Sequence, residues 1–281
     1  MAGAEPLGGA GAGAMPADWA GVRHPRAAAS PRIASWVPSL TELLFALDLG
    51  KFVVARTGFC IHPRGVVRRV PKAGGTKNPD LAALKACSPT HLIVNVDENR
   101  RDDVDAARES VPHVVVTHPR DPLDNPRLFA LLGAIFDRGH DAAALTRDFH
   151  AALAELDAAV AGLPRERVLY LIWKKPWMSV ARDTYVSATL ARAGLDTLPA
   201  VAARRYPEIA AGDTAWHDAD RILLSTEPYA FRQRDVDALR GLTATPVELI
   251  DGEWTSWYGV RAIGSLRALA AWRRRRATAV R

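Results

Sequence analysis

Cysteine is nearly missing from this chain: Cys60 and Cys87 are its only two. Two thiols build no disulfide framework, and nothing around them resembles a zinc motif. No apolar run approaches the ~20 residues of a membrane-crossing helix. Gly74-Gly75 lacks the lysine-serine ending of a phosphate loop, and no Ser-His-Asp order stands out. Charge of one sign is also scarce once it is located. Of the formal +6, Arg273, Arg274, Arg275, Arg276 and Arg281 supply five, leaving about +1 on the rest, so a nucleic-acid partner is disfavoured. Residues 273–281 read as a solvated basic tail.

A secretory leader is not recognisable either. Residues 1–30 are rich in Ala, Gly and Pro, and Asp18 and Trp19 interrupt any apolar stretch. The segment reads as disordered. A cytoplasmic location is expected from the start as given, with a periplasmic one as the alternative if translation begins elsewhere.

What is present suits a folded α/β protein. At 281 residues and 48% hydrophobic content, the chain can bury one large core or two ordinary ones. It divides into two similar half-chains, each opening on a strand. The first begins R-I-A-S-W-V-P-S-L-T-E-L-L at Arg32, the second R-V-L-Y-L-I-W-K-K-P-W-M at Arg167. In the first, strands are expected at Arg32–Trp36, Phe52–Ala55, His91–Val96 and His113–Thr117. Helices are expected at Thr41–Leu49, with Ser39 as N-cap, at Asp80–Ala86 and around Val104–Ser110. In the second, strands at Val168–Trp173, Arg221–Ser225 and Val247–Ile250 alternate with helices at Val186–Ala193 and Asp235–Leu239. This alternation argues for parallel sheets. Between the halves, Pro126–Phe136 and Asp141–Val160 carry helical periodicity, and Gly162 and Pro164 stop the second helix. A final helix starts at Gly259. The expected organisation is a lobe over 31–125, a helical linker over 126–163 and a lobe over 164–272.

These segments resemble the helical-backbone metal receptor superfamily (class III), the cobalamin and ferric-siderophore binding proteins that serve ABC importers. The resemblance spans roughly Arg32 to Trp272. It rests on R-I-A-S-W-V-P-S-L-T-E-L-L, on V-P-K-A-G-G-T-K-N-P-D-L-A-A-L-K-A-C-S-P-T-H-L-I-V, and on Y-P-E-I followed by R-I-L-L-S. It implies two Rossmann-like lobes with central parallel sheets, joined by one long backbone helix and closing only slightly on ligand. Importer-bound members place a glutamate on the outer face of each lobe to meet arginines of the permease. Here the N-P-x-L-E pattern falls on Asn78 to Ala82, so the first glutamate has become Ala82, and Gly212 stands at the second position. Asp213 lies beside Gly212, but losing the first acid removes a charge-assisted pair outright, and permease docking is doubtful. The chain is identified as a signal-less member.

The candidate site follows from residue chemistry. Trp36, Phe59, Trp173, Trp177, Tyr206, Tyr229, Phe231, Trp254, Trp257 and Tyr258 fall mostly at strand ends or in loops. Their rings could stack on a corrin, porphyrin or catecholate face, or plug the lobe interface. Pro38 and Ser39 follow the first strand, and Gly74, Gly75 and Thr76 shape a turn near the cleft. Cys60 and His62, with His118 at the same sheet edge, offer soft and borderline ligands, and His62 is the best candidate for direct metal contact. Taken singly, each reads sooner as an ordinary loop histidine or a buried thiol than as a ligand. Asp97, Glu98, Asn99, Glu227 and Glu253 follow strands, where carboxylates accept hydrogen bonds from a ligand or cap helices. Glu253-Trp254 resembles the acid-Trp pair of cobalamin-binding members. Arg182-Asp183 reads as a turn pair, and Arg232 and Arg234 as exposed.

The expected function is a cytosolic, non-enzymatic binding protein for a corrinoid or other metal chelate. It would act in capture, storage or sensing, as a monomer and without a required cofactor; corrinoid, haem or ferric siderophore would be its ligand. The alternatives are the substrate-binding component of an ABC importer and an enzyme acting on a tetrapyrrole or siderophore.

Overall fold

A computed structural model describes residues 16–279. The first lobe runs β1 (Ile33–Ser35), α1 (Pro38–Ala46), β2 (Val53–Arg56), α2 (Leu81–Ala86), β3 (His91–Asn95), α3 (Arg101–Ala107) and β4 (His113–Thr117). Two helices, α4 (Asn125–Ile135) and α5 (Gly139–Val160), lead to the second lobe. There β5 (Glu166–Leu171) is followed by a hairpin of β6 (Trp173–Lys174) and β7 (Trp177–Met178). The lobe continues through α6 (Tyr185–Arg192), β8 (Leu195–Leu198), α7 (Ala215–Asp218), β9 (Arg221–Ser225), α8 (Gln233–Arg240) and β10 (Val247–Ile250). The short α9 (Glu253–Ser256) and the long α10 (Arg261–Ala279) close the chain.

Each lobe holds a four-stranded sheet, in the orders β2-β1-β3-β4 and β8-β5-β9-β10, and every pair in both is parallel. Counted from its own first strand, each sheet is ordered second, first, third, fourth. The two halves are therefore one topology used twice, and the protein is a two-lobed α/β molecule. β3 is buried along its whole length, as expected of a parallel strand covered on both faces.

The lobes share a core. One continuous apolar cluster takes in Leu40 and Leu43 of α1, Phe129 of α4, Phe149 and Leu156 of α5, Tyr185 of α6, and Leu266 and Leu269 of α10. The outer faces of the two sheets have smaller clusters of their own. At 22 residues, α5 is about 33 Å long. Its small buried residues, Ala142 and Ala152, leave room for the helices beside it.

Several expectations are corrected. α1 begins at Pro38, three residues earlier than the hydrophobic pattern suggests, because proline's fixed φ suits a first helical turn. Val37 is its N-cap, so Ser39 is not. β8, the hairpin and α7 were not anticipated; each is four residues or fewer, too short for a periodic signal. Trp173 belongs to the hairpin rather than to β5.

Residues 16–30, read as part of a disordered segment, have defined partners; residues 1–15 lie outside the described residues. Asp18 accepts from the backbone N–H of Ala20, Val22 and Val116, and its Oδ2 lies 3.0 Å from His24 Nε2. Trp19 N–H donates to Val116 O, and Arg127 stacks 4.0 Å from the Trp19 ring. This strap covers the outer edge of β4. The basic tail is also corrected. Arg273 is 2% exposed and pairs with Glu166, while Arg276 pairs with Glu248 and stacks on Trp272. With Arg221 bridging Glu166 and Glu248, these arginines fasten α10 across β5, β9 and β10. Two of the five arginines behind the surplus charge, Arg273 and Arg276, thus serve the second lobe's stability, and Arg281 lies outside the described residues.

Candidate functional site

The carboxyl ends of both sheets face one another across a cavity of about 610 Å³. Open α/β sheets bind ligands outside these strand ends, and the volume is ordinary for a small-molecule site. Pro38 and Ser39 enter from the first turn of α1, and Gly58, Phe59 and Ile61 from the loop after β2. Asn95, Asp97 and Glu98 close β3, with Thr76 and Lys77 above them. The second lobe contributes Tyr185 and Val186 at the start of α6, Tyr206, Glu227 and Pro228 after β9, and Trp257 and Tyr258 after α9.

Backbone geometry explains the placement. Gly74 has φ +80°, and a Cβ there would meet the Asp80 backbone nitrogen at 2.3 Å, so only glycine makes this turn. Asn99 Nδ2 donates to Thr76 O at 3.0 Å and holds the turn against the end of β3. Phe59 is 62% and Tyr206 40% exposed, which puts two aromatic faces at the rim.

Two carboxyls dominate the electrostatics. Tyr258 donates its hydroxyl to Glu98 Oε1 at 2.6 Å, and Trp257 donates Nε1–H to Glu227 Oε2 at 2.8 Å. Burial pushes the Glu98 carboxyl up to about 7, with the Tyr258 hydrogen bond opposing the rise. Burial raises Glu227 too, again against its hydrogen bond from Trp257. Burial also raises the Tyr258 phenol far above its ordinary value.

Polar ties cross between the lobes on both flanks. Arg205 pairs with Asp97 and lies 3.2 Å from His118 Nε2, and it also meets Asp183, which Arg120 reaches at 3.3 Å. On the other flank His62 Nε2 lies 3.2 Å from Glu253 Oε1, and Arg261 joins Glu253 to Glu42.

Of the residues singled out in the sequence, Pro38, Ser39, Phe59, Thr76, Asp97, Glu98, Glu227, Tyr206, Trp257 and Tyr258 come together on the cavity wall. Others do not. Trp36 is fully buried in the first lobe among Leu84 and Leu92. Trp177 stacks on Phe231 and Trp173 sits edge-on to Tyr229, forming a second-lobe cluster. Trp254 packs against the shared core. Gly75 is buried in its turn. Asp183 pairs across to Arg120 and Arg205 rather than with its neighbour Arg182, and Arg232 and Arg234 are exposed.

The metal-ligand expectation is corrected as well. Burial pushes the Cys60 thiol up, and Thr41 and Thr57 hydroxyls occupy its sulfur at 3.0 and 3.2 Å, so it stays a neutral core thiol. His62 is buried behind Trp257, with ring centroids 5.3 Å apart, and its Nε2 faces Glu253 instead of the cavity. Among the described residues, no group of three or more His, Cys, Asp or Glu is placed to hold a metal ion. Sequence reasoning missed Lys77, Asn95, Tyr185 and Pro228 on the wall. Asn95 and Pro228 stand at or just past strand ends, so the strand-end rule could have found them; Tyr185 opens a helix and gave no such signal.

Residues 33–245 match the family model described as periplasmic binding protein, and the chain belongs to this family. Its fold is that of the class III, helical-backbone members, as the resemblance implied. The periplasmic vitamin B12 binding protein BtuF of Vibrio cholerae superposes with a TM-score of 0.74 at 16% identity, over 86% of this chain and 96% of that one. The periplasmic heme-binding protein RhuT from Roseiflexus sp. RS-1 gives 0.74 at 20%, over 88% and 98%. The heme-binding protein BhuT, in complex with two hemes, gives 0.75 at 19%, over 87% and 98%. These relatives are binding proteins, not enzymes. No curated protein matches the chain in sequence.

Proposed function

We propose that this protein is a receptor for a metal chelate of the corrinoid or haem type, held between its two lobes. The observation that carries this reading is the cavity itself. It lies at the facing carboxyl ends of two matched sheets, with Phe59, Tyr206, Trp257 and Tyr258 in its wall. Flat rings around a mostly apolar space suit a macrocycle. The cargo of the structural relatives, vitamin B12 in one and heme in others, supports the same class. Trp257 touches the space, so a bound macrocycle absorbing in the visible should quench tryptophan emission. Cobinamide, cobalamin and haem are the titrants. If none binds below roughly 100 μM, only fragment-strength affinity remains and the reading fails.

A second reading concerns what happens to the bound ligand. Ala82 and Gly212 are both exposed, and a side chain at Gly212 would meet nothing within 4 Å. A glutamate would fit there, yet the chain carries none at either place. This favours capture, storage or sensing in the cytoplasm over delivery to a permease. Fractionation of the native host that recovers the protein from the periplasm would overturn it.

A further inference from the structure

Two acids occupy related places in the two lobes. Glu98 stands three residues beyond the end of β3, and Glu227 two residues beyond the end of β9. These are the third strands of the two sheets, counted from each lobe's own first strand. The internal repeat therefore delivers one carboxyl to the cavity from each side. Each has one oxygen fixed by an aromatic donor, Tyr258 for Glu98 and Trp257 for Glu227. The other oxygen of each has no hydrogen-bond partner among the described residues. Trp257 and Tyr258 are consecutive, so one loop orients both acids.

Cations do not balance this pair. Glu98 is faced by Tyr258, Lys77, Asp97 and Glu227, and Glu227 by Trp257, Glu253, Asp251 and His62. Lys77, the cation of the cavity wall, is exposed and donates to Asp97 O at 2.7 Å, so one positive charge stands against the two acids. Arg205 is committed to Asp97 and Asp183, and Arg261 to Glu42 and Glu253. His62 is turned to Glu253. A ligand carboxylate placed here would meet two carboxyl groups against a single exposed ammonium, while an amide N–H or a cation would complete their open lone pairs.

We infer that Glu98 and Glu227 form a paired acceptor site that selects ligands presenting N–H donors or positive charge and rejects ligands presenting carboxylates. This rests on the cleft being the ligand site, and it divides the chelates named above. Chelates whose periphery carries amides are admitted, and those carrying ionised propionates or other carboxylates are turned away.

Two matched series test it. Iron mesoporphyrin and its bis-amide share one ring and differ in peripheral charge; binding is read by tryptophan quenching at pH 8. The bis-amide should bind at least tenfold more tightly, and Glu98→Gln with Glu227→Gln should close most of that gap. Naphthalene-2-carboxamidine and naphthalene-2-carboxylate, at millimolar concentration, test the charge preference without any chelate, by thermal shift on the native chain. The amidine should stabilise and the carboxylate should not. If neither porphyrin binds but the amidine protects, the acceptor pair stands, and the cobinamide and cobalamin titrations decide the chelate reading. If the carboxylate member equals or exceeds its partner in either series, or if no probe binds, the acceptor pair is overturned. Should the double variant fail to fold, the native comparisons decide alone.

Discussion

Glu98 and His91 both titrate abnormally, and burial is the leading cause for each, yet they move stability in opposite directions. The Glu98 carboxyl rises from an ordinary 4.5 to about 7, so between those values the folded protein binds more protons than the unfolded chain. Its contribution is fully present below about pH 4.5 and is lost as pH rises through 7. His91 is depressed from 6.5 to about 4 by burial and by His113 and His24. Here the unfolded chain binds more protons, so stability falls as pH drops from 6.5 towards 4. Urea melts at intervals from pH 4 to 8 should show both slopes. The two slopes oppose one another between pH 4.5 and 6.5. Glu98→Gln should therefore abolish the fall towards pH 7 and uncover the His91 rise from 4 to 6.5, and His91→Asn should uncover the Glu98 fall from 4.5 to 7. Tyr258→Phe, which removes a hydrogen bond to the ionised form, should raise the Glu98 midpoint further. At this scale the sequence was partly legible. Carboxylates just past strands were recognisable, and Asp97, Glu98 and Glu227 reached the cavity wall. Aromatics past strands were not separable, because Trp36 and Trp257 look alike until tertiary packing buries one in a lobe core. The thiol and imidazole of Cys60 and His62 were ambiguous for the same reason: their partners Thr41 and Glu253 are distant in sequence.

Helices α5 and α10 bear most of the connection between lobes. Ala152 is fully buried midway along α5. Ala152→Pro removes a backbone hydrogen bond and forces a kink, costing about 3 kcal/mol or more, and the melting temperature should fall by on the order of 10 °C. Arg273→Met should leave Glu166 with Arg221 alone. A loss of about 2 kcal/mol is expected, less than for a fully buried pair broken outright because Glu166 keeps that partner. A solvated tail would have given no loss, so a denaturant melt separates the two accounts. The long helices were legible from periodicity and from the Gly162 stop. β8 was not, since Leu195–Leu198 is four residues and its burial comes from pairing with β5. The arginine run was misread because a cluster of charges near a chain end has no sequence mark for partners as distant as Glu166 and Glu248.

Across the whole molecule, a shared core and ties on both flanks of the cavity leave little freedom for the lobes to swing. A ligand should find the cleft largely formed. Scattering curves with and without a bound corrinoid or haem should give radii of gyration within about 1 Å, as for pre-organised binding partners. A contraction of several ångströms would mean that α5 and α10 do not hold the lobes apart as described. The strap of residues 16–30 has a different consequence, for molecules meeting one another. Asp18 and Trp19 engage the outward-facing N–H and carbonyl of Val116 on β4, an edge strand of largely apolar sequence. An uncovered edge of this kind is a template for another chain. A version beginning at Arg32 would keep both lobes and the cavity, yet two copies could zip together along β4. Its light scattering should grow with concentration where the longer chain stays constant, making those fifteen residues the protein's guard against self-association.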